Sequence, residues 1–386
     1  MKKYLHIWTL AFLLMGIVCC SSGSDEDMNQ NPSPSPTPPP SGTSISNIVY
    51  DEFQGRSLMI IGNSKLNFML AFDRILDGTE MNFTIVQDSL PIIMQDEAGG
   101  YWNIFGQATD GPNAGKQLTS PSSFIGYWFS LGAFYPGLEI YAHTASPPNQ
   151  GEFVSGSDGW SIPRDEVYVG APKEAIPSID NPEFVRVTTA KIGDPENFLD
   201  DSELVVLVNI NGTMHVYPHN ILNWHEIVND EIDNTEFALI FCPLTGTSTA
   251  WNRNINGITS TYGVSGFLYN SNVVPYDRNS GSNWSQMLLQ SVNGSLEGTE
   301  STNIFAIETD YATAKIISQD FQQMTTNTGH TRSYDVNPYG DYPRNSSIMF
   351  PINFEDDRLR PKERVLGVII GEKAKAYRFA SFLKQD

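Results

Sequence analysis

The sequence predicts a β-rich α+β fold in which two related half-repeats form one pseudo-twofold domain. Short apolar segments with strand-like alternation are separated by turn residues along most of the chain. Asn211-Gly212 joins two such segments and is a strong signal for a tight hairpin turn. Two long stretches of sequence also repeat each other, which indicates an internal duplication.

Residues 1–20 are typical of a lipoprotein signal peptide. Lys2 and Lys3 precede an apolar run that is too short to span a bilayer comfortably. Ile17-Val18-Cys19-Cys20 resembles a bacterial lipobox, which implies that Cys20 is acylated after cleavage. The acidic stretch SSGSDED resembles the signal that sends lipoproteins of some bacteria to the cell surface. The expected location is therefore the outer membrane or cell surface, through a lipid anchor.

Composition limits the partners of the chain. Residues 21–44 are mostly Ser, Pro, Gly and Asp and predict a disordered linker. The formal net charge of −21 argues against binding of nucleic acid or anionic lipid through bulk electrostatics. Cys242 is the only cysteine outside the signal region, so no intramolecular disulfide is expected.

The first half-repeat is predicted at residues 45–142. Short strands lead to a helix whose apolar residues, from Phe124 to Phe134, recur with helical spacing, and Pro136-Gly137 ends it. Residues 143–200 are rich in Pro, Gly and Asp and predict an irregular connection.

The second half-repeat, with the Cys/His site, is predicted at residues 201–335. Its opening hairpin ends at Pro218, and residues 219–230 predict a helix of about three turns. The buried strand FALIF then leads to Cys242. The last segment, residues 336–386, contains a hairpin from Val365 to Phe379 that is predicted to pack on the N-terminal half.

The duplication rests on ordered matches. AFDRILDGTEMNF, from Ala71, lies over AWNRNINGITSTY, from Ala250, and further Asp, Gly and Trp residues correspond downstream. VLGVIIGEKAKAYRF at the C-terminus repeats the hairpin VVLVNINGTMHVYPH, whereas no such hairpin precedes the first half. The C-terminal hairpin is therefore predicted to complete the N-terminal half. In this alignment Cys242 falls on Asn63, which places the reactive groups in one half only.

Cys242 and His225 are the candidate reactive residues. A thiol at the end of a strand can have its thiolate stabilised by free backbone N–H groups, although Cys is also a common small core residue. His225 shares a helix face with Ile221 and Val228, which favours an inward side chain that acts as a base, a metal ligand or a core residue. Glu226 is a tentative third catalytic residue, but a position facing solvent is the better interpretation.

Two further histidines precede this pair. His219, near the start of the helix, is a candidate third metal ligand, with a capping or exposed role as the alternative. His215 lies on a hairpin strand, and we expect it to face solvent.

A polar and aromatic cluster follows the reactive residues. It could line a pocket for a small polar or sugar-like ligand, or it could cap turns. Its members are Tyr269, Asn270, Asn272, Tyr276, Asp277, Arg278 and Trp284. 

Three functions follow as hypotheses. The first is a site formed by Cys242 and His225 for copper or another soft metal. The second is thiol catalysis, with Cys242 as nucleophile and His225 as base. The third is a non-enzymatic surface module that binds a glycan or small ligand. Sequence motifs of nucleotide-binding proteins, zincins, serine hydrolases and EF-hands are absent from the sequence.

Several long motifs resemble the bacterial family called domain of unknown function 3179. They are YPHNILNWHEIVND, FALIFCPLTGT, YGVSGFLYNSNVVPYDRNSGSNWSQ and DVNPYGDY. The resemblance runs from Pro182 to the C-terminus, and residues 58–141 resemble the other half-repeat of the family. It implies a fold and a site but names no reaction. Members usually carry a second cysteine three residues after the first, where this chain has Thr245, so a CxxC redox couple or two-thiolate metal site is not expected.

Overall fold

The computed structural model describes residues 47–145, 147, 156–188 and 198–382. All of them fall within one unit, Gly42–Asp386. The predicted signal peptide, Cys20, the linker and part of the predicted connection at 143–200 lie outside the described residues. Within the described part, strands predominate and the helices are short, so the predicted β-rich α+β class is confirmed.

The first part of the chain forms small antiparallel sheets. β1, β2 and β3 form one sheet, β4 pairs with β5, and β6, β7 and β8 form another. The strands are β1 Asn47–Phe53, β2 Arg56–Asn63, β3 Phe68–Asp73, β4 Ile75–Leu76, β5 Thr79–Glu80, β6 Phe83–Ile85, β7 Ile92–Asp96 and β8 Tyr101–Asn103.

A buried helix and short strands follow. Every residue of this helix is buried, so it belongs to the core and has no solvent face. The elements are β9 Ser122–Tyr127, α1 Trp128–Phe134, β10 Glu139–Ile140, β11 Val167–Val169 and β12 Phe184–Thr188, with a 3-10 helix at Arg164–Glu166.

The middle of the chain holds the predicted hairpin. Asn211 and Gly212 both have positive φ, 53° and 90°, as a tight two-residue turn requires. The elements are β13 Leu204–Ile210, β14 Thr213–Pro218, α2 His219–His225, β15 Ile227–Ile232, β16 Thr235–Cys242, β17 Thr247–Asn252, β18 Asn254–Ile255 and β19 Ile258–Thr259.

The last part contains the longest irregular stretch within the described residues, between β26 and β27. The elements are β20 Tyr262–Tyr269, β21 Asn272–Asp277, β22 Asn283–Ser285, β23 Gln290–Asn293, β24 Asn303–Ile304, β25 Ala306–Asp310, α3 Tyr311–Ile317, β26 Asp320–Met324, β27 Arg364–Ile370 and β28 Lys373–Arg378, with 3-10 helices at Tyr342–Arg344 and Phe379–Phe382.

Two hairpins lie within two sheets that share the same order over four strands, and the sheet of the first hairpin has β12 as an additional edge strand. The β13–β14 hairpin pairs with β25 beside β13 and with β26 beside β14, and the β27–β28 hairpin pairs in the same way with β9 and β10. In both sheets the strand beside the first hairpin strand is antiparallel and the strand beside the second is parallel. Helix α3 connects β25 to β26, and α1 connects β9 to β10. The C-terminal hairpin is thus built into a sheet with N-terminal strands.

The predicted helices are shorter in the structure. Phe124–Tyr127 belong to β9, because these residues pair with β27, and α1 begins only at Trp128. Helix α2 ends at His225 rather than near residue 230. Glu226 has a φ of 58°, which reverses the chain, and Ile227 begins β15. None of the described helices is long and apolar enough to cross a membrane.

Candidate functional site

A polar cavity of about 370 Å³ lies where the two hairpin sheets approach each other. Tyr127 and Arg364 reach it from β9 and β27, and Glu308 reaches it from β25. The start of α2 contributes His219 and Asn220. The cavity therefore draws its wall from segments that are distant in sequence.

Glu308 makes several polar contacts in the wall of this cavity. Its side chain is 5% exposed and forms an ion pair with Arg364, which also donates to Asn67. Ser248 Oγ donates to Glu308 Oε2 at 3.2 Å, and His219 Nε2 lies 3.4 Å from the same oxygen. Burial alone would raise the pKa of Glu308, but Arg364 and His219 outweigh it and lower the pKa to about 2. Glu308 is therefore a permanent anion at neutral pH.

Two polar atoms beside this ion pair are buried without a well-formed hydrogen bond among the described residues. They are His219 Nε2, whose contact with Glu308 has ion-pair distance only, and Asn220 Oδ1. Buried polar groups are rarely left without partners in folded proteins. Their position in the cavity wall is consistent with a site for a polar ligand.

The outer wall is formed by part of the irregular stretch between β26 and β27. We call residues 328–344 the strap. Its residues Tyr334, Asn337 and Arg344 line the cavity. Tyr342 of the strap donates from its hydroxyl to the carbonyl oxygen of Leu244 at 3.0 Å, which attaches the strap to the turn after β16.

His225 is engaged with groups other than Cys242. Its Nδ1 lies 2.7 Å from the carbonyl oxygen of Pro177, which can only accept, so Nδ1 carries the proton. Nε2 then accepts from the hydroxyl of Tyr334 at 2.7 Å. Burial lowers the pKa of His225 to about 4, so the ring is neutral at pH 7.

Glu226 is buried, with 7% exposure, and the expectation that it faces solvent was wrong. The reason is its positive φ, which turns the chain from α2 directly into β15. Tyr339 of the strap donates to Glu226 Oε1 at 3.1 Å. Burial raises the pKa of Glu226 to about 7, despite this hydrogen bond.

Cys242 is a buried thiol beside this carboxyl group. It is 1% exposed within a large apolar cluster, and its Sγ lies 3.9 Å from the carbonyl oxygen of Ser271. Burial and the nearby Glu226 raise its pKa to about 11, so Cys242 is a protonated thiol at neutral pH. Within the described part of the chain, no group of three or more His, Cys, Asp and Glu side chains could hold a metal ion.

The expectation that His215 faces solvent was also wrong. Its Nδ1 lies 2.7 Å from Asp230 Oδ2, which also accepts from Tyr217, and the ring packs 4.1 Å from that of Phe184. Phe184 of β12, a strand of the same sheet, packs against the ring of His215 and contributes to its burial.

The residues of the predicted ligand cluster form hydrogen bonds and ion pairs within the fold, and whether they bind a ligand stays a prediction. Asp277 accepts from Trp284 Nε1 and from Ser280, and it holds a turn. Arg278 forms ion pairs with Glu174 and Asp180. The other members are buried, or hydrogen-bonded to core groups: Tyr269, Asn270, Asn272 and Tyr276. None of them lines the polar cavity.

Sequence reasoning missed the residues that define the cavity, above all Glu308, Arg364 and Tyr127. One signal was present, since Glu308 is an acid within the strand segment AIETD, whose central residues are buried. Its partner Arg364 comes from the C-terminal hairpin, so no local pattern could have paired the two.

The fold and cavity together define a β-rich α+β protein with a partly open polar cavity. A family model described as "Protein of unknown function (DUF3179)" matches residues 173–386, and the chain belongs to this family. The matched region contains all the residues that line the polar cavity except Tyr127. Searches of curated proteins and of solved structures find no match.

The neutral state of His225 predicts a loss of stability in acid. The unfolded chain takes up a proton near pH 6.5, whereas the folded protein does so only near pH 4. The contribution of His225 to stability should therefore fall as pH decreases from 6.5 to 4, by at most about 3 kcal/mol. Because the buried Glu226 contributes with the opposite sign over much of this range, the test is the difference in unfolding free energy, measured with urea, between the wild type and His225→Asn, which should change in favour of the variant as pH decreases. His143→Asn, a change at a partly exposed histidine, should keep the pH dependence of the wild type; equal slopes in all three proteins would contradict the assignment.

Proposed function

We propose that this protein binds a small, uncharged polar ligand of the sugar or polyol type in the polar cavity. The observation that carries the proposal is a cavity whose buried anion is already paired. Glu308 forms an ion pair with Arg364 and contacts His219, and the remaining charged residues of the wall are Glu203, Asp335 and Arg344, so three carboxylates face two arginines. A wall without a dominant sign of charge favours a neutral ligand over an ion.

The remaining chemistry of the wall fits polyhydroxyl ligands. Asn220, Asn223 and Asn337 each offer an amide that can both donate and accept, as hydroxyl groups do. Tyr127 and Phe241 add aromatic surface. The volume of about 370 Å³ is at the lower end of ligand pockets, which suits a small ligand.

The soft-metal and thiol-catalysis hypotheses would each require His225 to give up one of its hydrogen bonds. A soft-metal site or a Cys242 nucleophile with His225 as its base needs a free imidazole nitrogen. His225 would have to leave Pro177 or Tyr334 to provide one. The cavity needs no such change, which is why we favour binding.

Binding can be tested by a thermal-shift and calorimetric screen with neutral monosaccharides, disaccharides and polyols, beside uronic acids and amino sugars. A neutral compound should raise Tm and bind stoichiometrically. Arg344→Gln and Asn223→Ala should weaken its binding at least about tenfold, equivalent to about 1.4 kcal/mol. Arg360→Gln, an equal charge change at an exposed arginine outside the cavity, should leave binding unchanged. The proposal fails if only charged compounds bind, or if the cavity variants bind as the wild type does.

We further propose that the unit consists of two related halves, with the C-terminal hairpin completing the first. The equal strand arrangement of the two hairpin sheets supports this. A second cavity, of about 250 Å³, is lined by corresponding residues from both halves, as expected near a pseudo-twofold axis. The corresponding pairs include Met69 with Ser248, Ile125 with Glu308, and Leu366 with Val206.

A circular permutant tests the two-half arrangement. Phe382 packs against Gly62, and Gly62 pairs with Asn47, so the end of the C-terminal hairpin lies close to the start of β1. Moving residues 362–382 in front of Asn47 through a short linker would give the first half the chain order of the second. The permutant should unfold cooperatively with a Tm near that of the parent, measured by circular dichroism. Deletion of residues 362–382 without reinsertion should abolish cooperative unfolding; a stable deletion variant would contradict the arrangement.

We also propose a lipid-anchored location at the bacterial outer membrane or cell surface. The lipobox resemblance around Cys20 and the linker at 21–44 support it. Cell fractionation should find the wild type in the membrane fraction and Cys20→Ala outside it. Equal fractionation of both proteins would argue against acylation.

A further inference from the structure

The strap covers two features of the molecule at once. Tyr334, Asn337 and Arg344 form the outer wall of the polar cavity. Tyr339 and Tyr342 pack into the apolar cluster that surrounds Cys242. Apart from the 3-10 helix Tyr342–Arg344, the strap has no regular secondary structure. Long segments of this kind within a folded unit are commonly functional, as covers of sites or binding loops.

Three consecutive residues at the end of α2 hold the strap. Trp224 Nε1 donates to the carbonyl oxygen of Val336 at 3.1 Å. His225 Nε2 accepts from Tyr334, and Glu226 Oε1 accepts from Tyr339. Thr328 Oγ1 lies 2.5 Å from the hydroxyl of Tyr334 and extends this network along the strap. These hydrogen bonds are few, and the rings of Tyr334, Tyr339 and Tyr342 add apolar contacts, so opening of the strap has to withdraw these three rings while the strands beneath keep their pairing.

The strap also contains two positions at which the backbone can turn. Gly329 and Gly340 have φ of +78° and +56°, a conformation that residues with a Cβ rarely adopt. A Cβ at either position would meet no atom within 4 Å, so neither glycine is packed against the sheets. Such positions are suited to act as hinges.

We propose that the strap is a hinged cover over the polar cavity and Cys242, and that Trp224, His225 and Glu226 are its latch. The role in ligand entry rests on the proposed binding function, whereas the movement itself does not. This assignment gives the Trp-His-Glu sequence a positioning role, since it holds the residues that complete the cavity.

The latch should weaken as pH rises. The ionisable groups that face Glu226 are Cys242 on β16 and Tyr339 on the strap, and both are neutral near pH 7 because burial raises their pKa. Glu226 itself has a pKa of about 7 when the strap is closed, against 4.5 in water. Between these values closing requires uptake of a proton, so the closed state loses stability as pH rises from 4.5 to 7 and changes little above it.

Cys242 reports this opening directly. The experiment uses the full chain with Cys19→Ser and Cys20→Ser, so that Cys242 is the only thiol, and follows its reaction with 4,4′-dithiodipyridine. At pH 4.5 the rate should lie within about twofold of that of Glu226→Gln, because in the closed state both side chains are then neutral and accept from Tyr339. At pH 7.5 the wild type should react at least about tenfold faster than Glu226→Gln. The ratio should reach ~300-fold if Glu226 is fully hydrated in the open state. Taking the ratio at each pH removes the intrinsic pH dependence of the thiol.

Two controls separate opening of the strap from other causes. Glu231→Gln, an exposed carboxylate on β15, should follow the pH profile of the wild type. Tyr339→Phe should react faster than the wild type at pH 4.5, while its circular dichroism spectrum and Tm change little. The proposal is overturned if the ratio of wild type to Glu226→Gln is constant with pH, or if labelling shows the full urea dependence of global unfolding. If labelling behaves as expected but no sugar binds, the strap stands and the proposed ligand class falls.

Discussion

The ion pair of Glu308 and Arg364 is the interaction on which the arrangement of the site depends. Glu308 belongs to β25 and Arg364 begins β27, so the pair joins the two hairpin sheets. Arg364 also donates to Asn67 between β2 and β3, and Ser248 of β17 donates to Glu308. A buried charge that loses its partner typically costs about 3–5 kcal/mol, so each of these segments is held in position by the need to satisfy the others.

This constraint explains why the buried carboxylate of the cavity wall is paired. Removing Glu308 from water would be unfavourable by itself, and the guanidinium of Arg364 and the ring of His219 compensate it. In the proposed correspondence of halves, Glu308 takes the place of Ile125 and Cys242 that of Asn63. Under this proposal, the two halves would share a backbone arrangement and differ in side chains at these positions. Polar side chains can replace apolar ones at the junction of two such halves without changing the hydrophobic core of either half.

The His-Glu pair illustrates how a local sequence pattern can single out residues whose surroundings are supplied only by the tertiary structure. His225 and Glu226 are indeed unusual, since one is a neutral buried imidazole and the other a buried carboxyl group with a positive φ. The groups that surround them come from the strap, about a hundred residues later in the chain. Their hydrogen bonds to Tyr334 and Tyr339 make them supports of an outer wall. Residues that are conspicuous in a sequence can serve to position other side chains as much as to take part in a reaction.

The sequence by itself determined the fold class, the hairpin at Asn211-Gly212 and the buried strand that ends at Cys242, because alternation of apolar residues and turn chemistry act over a few neighbouring residues. It also identified the family from motifs that are contiguous in the chain. The tertiary structure alone decided where α2 ends, since the backbone of Glu226 reverses to pair β15 with β16. The tertiary structure alone also brought Arg364 to Glu308 and the strap to α2. The free energy of these contacts depends on groups that are far apart in the sequence and become neighbours only in the buried interior.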